Sequence, residues 1–112
     1  NKMETLLQFS SPVTVSSVTL STLVDIGGYI MPPVSIEVWG GDEAGHLKLL
    51  SRLTPQQPLK VAPAYLKAFE LSFSPVLLKY IKIVAVPVSK LPLWHPGKGD
   101  KGWIFADEVF VN

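Results

Sequence analysis

The chain has 112 residues, enough for one domain whose core folds without staples. It is 47% hydrophobic and 17% charged with a net charge of +1, which excludes a disordered chain and leaves no basic footprint for nucleic acid or an anionic membrane. The absence of cysteine excludes disulfides and thiolate metal sites and leaves the redox compartment open.

Ten prolines and eight glycines separate short runs of valine, isoleucine, leucine and phenylalanine, the texture of an antiparallel β-domain. The first strand is expected at 4–9. In the second, 13–23, the apolar phase slips: Val13 and Val15 are odd, Val18 and Leu20 even. A β-bulge at Ser16-Ser17 would absorb that slip. Strands follow at 34–39 and 47–52; the stretch 42–50 is the one helix candidate, and Gly45 inside it argues against a helix. At 66–73, Phe69, Leu71 and Phe73 alternate with Ala68, Glu70 and Ser72, and at 77–86 Ile81 and Ile83 flank Lys82. The richest apolar run, VLLKYIKIVAVPV, is broken by Lys79 and Lys82 and falls short of the roughly 18 residues of a membrane span. The last strand, 103–111, has Trp103, Phe105, Val109 and Val111 in phase. The expected shared core is therefore Phe69, Leu71, Phe73, Ile81, Ile83, Trp103, Phe105 and Val109. Seven short strands with long turns predict an all-β sandwich with almost no helix. No signal-peptide pattern opens the sequence, and Asn1-Lys2-Met3 enters without a capped element, as expected of a piece of a longer chain.

Residues 97–102, GKGDKG, match G-x-G-x-x-G, but a strand must precede that motif and a helix follow it. Here Trp-His-Pro precedes it and the strand-like WIFADEVFV follows, so the dinucleotide reading is rejected. His46 and His95 are the only histidines and are far apart. Asp25, Asp42, Asp100, Asp107 and Glu108 offer carboxylates to a hard ion, without EF-hand spacing; solvated acids are the plainer reading. Asp107-Glu108 on a regular strand point to opposite faces, so they could not flank one glycosidic bond, and Asp42-Glu43 sits in a turn. No nucleophile elbow is present. By itself the chain reads as a non-enzyme.

Surface aromatics remain. Sugars offer C–H faces that stack on indole and phenol rings, and hydroxyls that need planar polar partners. The loop LPLWHPGKGDKGW places Trp94 and His95 beside Lys98 and Asp100, which is that mixture. Trp94 admits two readings, a stacking ring or a plug under the loop. For Trp103 the core reading is favoured. Tyr29, beside Gly27-Gly28, is a second candidate, and Trp39, out of phase with Val34, Ile36 and Val38, is expected to face outward near a loop.

The runs VTLSTLVDIGGYIMPPVSIEVWGG and YIKIVAVPVSKLPLWHPGKGDKGWIFADEVFVN resemble the C-terminal discoidin-like domain of bacterial β-hexosaminidases of the chitobiase type. The telling pieces are PPVSIEVWGG, LPLWHPGKGDKGW and FADEVFVN. The resemblance implies a galactose-binding-like jelly-roll β-sandwich. It also implies a non-catalytic accessory module of a β-N-acetylhexosaminidase, secreted, periplasmic or cell-surface. The module would bind glycans containing N-acetylhexosamine or galactose-type sugars, or else pack on the parent catalytic domain and bind no sugar. Related modules carry a calcium loop ahead of the first core strand; METLLQFSSP opens at that strand, so calcium is not expected, and Glu108 is the one residue standing where such a site would draw a ligand. Sugar-binding relatives use a His/Arg/Asn trio. His46 and Arg52 lie near the corresponding strands, without a clear match to the trio.

Overall fold

The computed structural model describes residues 2–112. Five strands form one antiparallel sheet: β1 (Met3–Val24), β2 (Ser35–Gly41), β3 (Lys48–Leu53), β4 (Tyr65–Val86) and β5 (Phe105–Val111), in the order β3-β2-β4-β1-β5. Seven expected strands become five because 4–9 and 13–23 are one bent strand, as are 66–73 and 77–86. A straight 22-residue strand would be about 73 Å long, yet the longest dimension of the molecule is 47 Å. Both long strands must therefore fold over.

The bends lie where the β1–β4 register breaks. Gln8 pairs with Tyr80 but Val13 with Leu78, and Val15 pairs with Val76 but Ser17 with Ser72. Extra residues thus accumulate first on β1 and then on β4, each time around a proline, Pro12 or Pro75, which has no N–H to give a ladder. The slip expected at Ser16-Ser17 is present. Both of these N–H groups donate to the Asn112 carbonyl, at 2.7 and 3.0 Å, the hydrogen-bond signature of a bulge.

One layer is then β3, β2, the C-terminal half of β4 and the N-terminal half of β1; the other is the N-terminal half of β4, the C-terminal half of β1, and β5. A single core joins them, with Val18, Leu20, Phe69 and Leu71 from one layer and Ile36, Val38, Ile81 and Ile83 from the other, all buried. This is the expected all-β sandwich. Among the described residues no helix is long and apolar enough to cross a membrane. The stretch 42–50 holds a turn and the start of β3, not a helix.

Two expected core residues lie outside. Trp103 is 57% exposed and Phe105 52%, while Phe73 and Val109 are half-buried against the core. The cause is a bulge in β5. Leu23 pairs with Phe105 and Thr22 with Ala106, but Ser21 pairs with Glu108, leaving Asp107 as an extra residue. One added residue reverses the strand's facing, so Val109 and Val111 point inward while Phe105 joins an outer row with Leu23 and Leu66.

Candidate functional site

Folding the sheet over gathers segments 25–34, 54–64 and 87–104 at one end of the sandwich. They share a second small core of Val24, Ile26, Met31 and Leu91, against which Tyr29, Val88 and Trp94 pack. A 3-10 turn (Ile26–Gly28) begins this end; Asp25 Oδ1 accepts from the Gly28 N–H, and Tyr29 closes the turn in the left-handed region at φ 66. The loop 87–102 is a stem held by its own backbone. The Gly102 N–H donates to Val88 O at 2.9 Å, Leu91 N–H to Asp100 O at 2.7 Å, and Gly99 N–H to Leu91 O at 3.1 Å, with Gly99 at φ 85.

His95 locks this loop to the turn. It is 2% exposed; its Nδ1 accepts from the Gly97 N–H at 2.8 Å, which places the proton on Nε2, and Nε2–H donates to Ile26 O at 2.6 Å. Both ring nitrogens are spent, so His95 offers no polar atom to a hydroxyl, and its expected place among the sugar contacts is corrected to that of a latch. Tyr29 meets the His95 ring edge-on at 5.3 Å, and a Cβ on Gly97 would collide with the Tyr29 ring. Tyr29 is thus a packing residue of the same latch.

Trp94 is half-buried, its ring centroid 5.7 Å from that of His95. One part of it lines a groove of about 330 Å³ with Met31, Gln57, Leu59, Lys90 and Pro92. Trp94 is thus packed on the small core by one part and open to the groove by another. Lys98 and Asp100 are exposed on the loop tip and do not line this groove. The polar groups that do, Gln57 and Lys90, were not singled out by the sequence. Gln57 Nε2 donates to Pro32 O and Pro33 O at 2.9 and 3.0 Å, which fixes the amide's orientation. Its buried Oε1 has no hydrogen-bond partner among the described residues.

The remaining candidates lie elsewhere. His46 is exposed in the β2–β3 turn at the opposite end, 3.7 Å from Glu43, in a hollow shared with Asp42 and Lys48. Arg52, on edge strand β3, lies 3.6 Å from Glu37 on the sheet's outer face. Glu37 also accepts from Trp39 Nε1 at 3.2 Å, so Trp39 faces outward as expected. His46 and Arg52 therefore do not join Trp94 in one site.

Glu108 is exposed on β5 opposite Ser21, and among the described residues no three histidine or acidic side chains come together. Because a ligand specific to the native state raises the melting temperature by mass action, excess calcium or chelator is expected to leave the transition unmoved in differential scanning calorimetry. A clear rise with calcium would show that Glu108 and backbone carbonyls suffice.

No protein-family model matches the chain, and no curated protein sequence matches it. Solved structures share its fold. A GH29 fucosidase from Ruminococcus gnavus, in complex with fucose, superposes with a TM-score of 0.59 at 13% identity, over 98% of this chain and 17% of that one. The CBM32 module of a GH89 protein from Clostridium perfringens, in complex with glcNAc-alpha-1,4-galactose, gives 0.50 at 10% identity, over 92% and 64%. The K2 cleaved adhesin domain of Lys-gingipain gives 0.53 at 15%, over 97% and 62%. The chain thus spans under two thirds of each of these proteins, and at such identities the likeness is one of fold.

Proposed function

We propose that this domain is a non-catalytic carbohydrate-binding module of a secreted or cell-surface glycoside hydrolase, with the groove beside Trp94 as its sugar site. The observation that carries the reading is the groove itself: a tryptophan held from behind by the His95 latch, with the Gln57 side chain and one ammonium in its lining. A sugar C–H face stacks on the ring, Lys90 meets a hydroxyl oxygen, and the Gln57 side chain, held by Pro32 O and Pro33 O, forms a fixed part of the wall. The sugar-bound CBM32 module of similar fold supports this use of the scaffold. The sequence resemblance supports a β-N-acetylhexosaminidase of the chitobiase type as the parent, and N-acetylhexosamine- or galactose-containing glycans as the ligands.

One aromatic wall and few hydrogen bonds must overcome the freedom lost on association, so a single sugar unit is expected to bind near the millimolar range, about 4 kcal/mol. In calorimetric titration with N-acetylglucosamine, N-acetylgalactosamine and galactose, Trp94→Ala should abolish binding. Undiminished binding by that variant, or none by the intact domain across a broad glycan panel, would remove the reading.

A second reading, docking on a neighbouring domain, is favoured by the outer row Leu66–Leu23–Phe105, in which Leu66 is 64% exposed, and by Leu59 and Leu93 at the loop end. Absence of glycan binding would select it.

A further inference from the structure

Trp103 is exposed, yet its backbone is among the best-held segments of the loop end. Its N–H donates to Tyr29 O at 2.8 Å, its carbonyl accepts from Met31 N–H at 3.0 Å, and it bridges Ile30 in parallel. Gly102 before it is wedged against Val88, where a Cβ would stand 3.1 Å from Val88 Cβ and 3.2 Å from its carbonyl oxygen. The indole is thus presented to solvent from a fixed mount, so a stacking partner would order little backbone on arrival. Beside it lies a ledge of about 180 Å³ with an apolar floor of Met3, Pro87 and Ile104, room for one pyranose ring.

The charge on this ledge has one sign. Lys101 Nζ stands 4.8 Å from the Trp103 ring centroid, and Lys2 borders the same hollow. No carboxylate lines it, and neither lysine is ion-paired among the described residues. A neutral sugar would leave both ammonium groups without a counter-charge. A sugar bearing a carboxylate would stack its ring on the indole and place its charge between the two lysines, each a compact point charge suited to an anionic oxygen.

We propose that the Trp103 ledge is a second binding site, for acidic sugars such as uronic acids. It shares no lining residue with the Trp94 groove and stands independently of the function assigned to that groove.

The test is calorimetric titration of the intact domain with trigalacturonic acid and with a neutral trisaccharide, in low salt. Trigalacturonic acid is expected to bind. Trp103→Ala should weaken it by about tenfold or more and Lys101→Gln by about fivefold, the sizes expected for a lost stacking ring and a lost cation. Trp94→Ala should leave it unchanged. Raising salt to about 1 M, where the Debye length shrinks to about 3 Å, should weaken it several-fold. Both altered side chains project from the surface, so the variants should melt like the parent. No binding of trigalacturonic acid, equal weakening of the neutral trisaccharide by Lys101→Gln, or affinity indifferent to both substitutions would overturn the proposal.

Discussion

Replacing Phe69 by alanine is expected to destabilise the fold by about 3–5 kcal/mol, the usual cost of removing a buried phenylalanine. Phe69 is 7% exposed and pairs across to Leu20 in the layer that β5 completes. Phe73, four residues on and on the same apolar face by sequence, stands half-buried where β4 begins its bend. Its truncation should cost roughly half as much or less, because solvent already reaches the ring and less cavity is left. Trp103→Ala should stay within about 0.5 kcal/mol, as surface changes do. Urea denaturation of the three variants separates these outcomes. Equal losses at Phe69 and Phe73, or a multi-kcal loss at Trp103, would mean that the inward face is assigned to the wrong residues.

The second large effect is expected at the latch. His95→Ala leaves the buried Gly97 N–H without its acceptor and takes from Ile26 O one of its two donors, the Tyr29 N–H at 3.1 Å remaining. The unpaired Gly97 N–H costs about 1–3 kcal/mol and the lost bond to Ile26 O about 0.5–1.5 kcal/mol, so a loss of about 2–4 kcal/mol is expected. Gly97→Ala should also destabilise, because the new methyl group meets the Tyr29 ring, whose own backbone is held at φ 66. The damage should begin locally. Limited proteolysis near Gly99 is expected to accelerate in both variants at temperatures where the sheet remains folded. A loss below about 1 kcal/mol for His95→Ala, with unchanged proteolysis, would show that the loop does not depend on this histidine.

The fold was legible where parity was informative. The change from Val15 to Val18 announced the bulge at Ser16-Ser17, and the alternation around Phe69 and Leu71 gave the core face of β4. The β5 bulge left no such mark. Trp103, Phe105, Val109 and Val111 share one parity, and only pairing with β1, about 85 residues earlier in the chain, inserts Asp107 and reverses the facing. The merging of four expected strands into β1 and β4 was hidden for a related reason: proline reads as a strand end, yet at a bulge it bends a strand that continues.

The loop was legible in composition but not in role. Histidine beside tryptophan suggests a polar stacking site, whereas here the histidine serves the Ile26 carbonyl, 69 residues away, and frees the tryptophan to line a groove. Gln57, in a proline-flanked polar stretch without periodicity, carried no signal at all. Its importance lies in two proline carbonyls that it ties down from a distant segment.

The most direct test is a heteronuclear NMR titration of the labelled domain with an N-acetylglucosamine disaccharide and with lactose, following the three indole N–H resonances of Trp39, Trp94 and Trp103 and the side-chain amide of Gln57. The expected result is concentration-dependent movement of the Trp94 indole and the Gln57 amide, with the Trp39 indole and the backbone around His46 and Arg52 still. Silence at Trp94 and Gln57 with either sugar, or movement centred on the β2–β3 turn, would contradict a glycan site at the loop end.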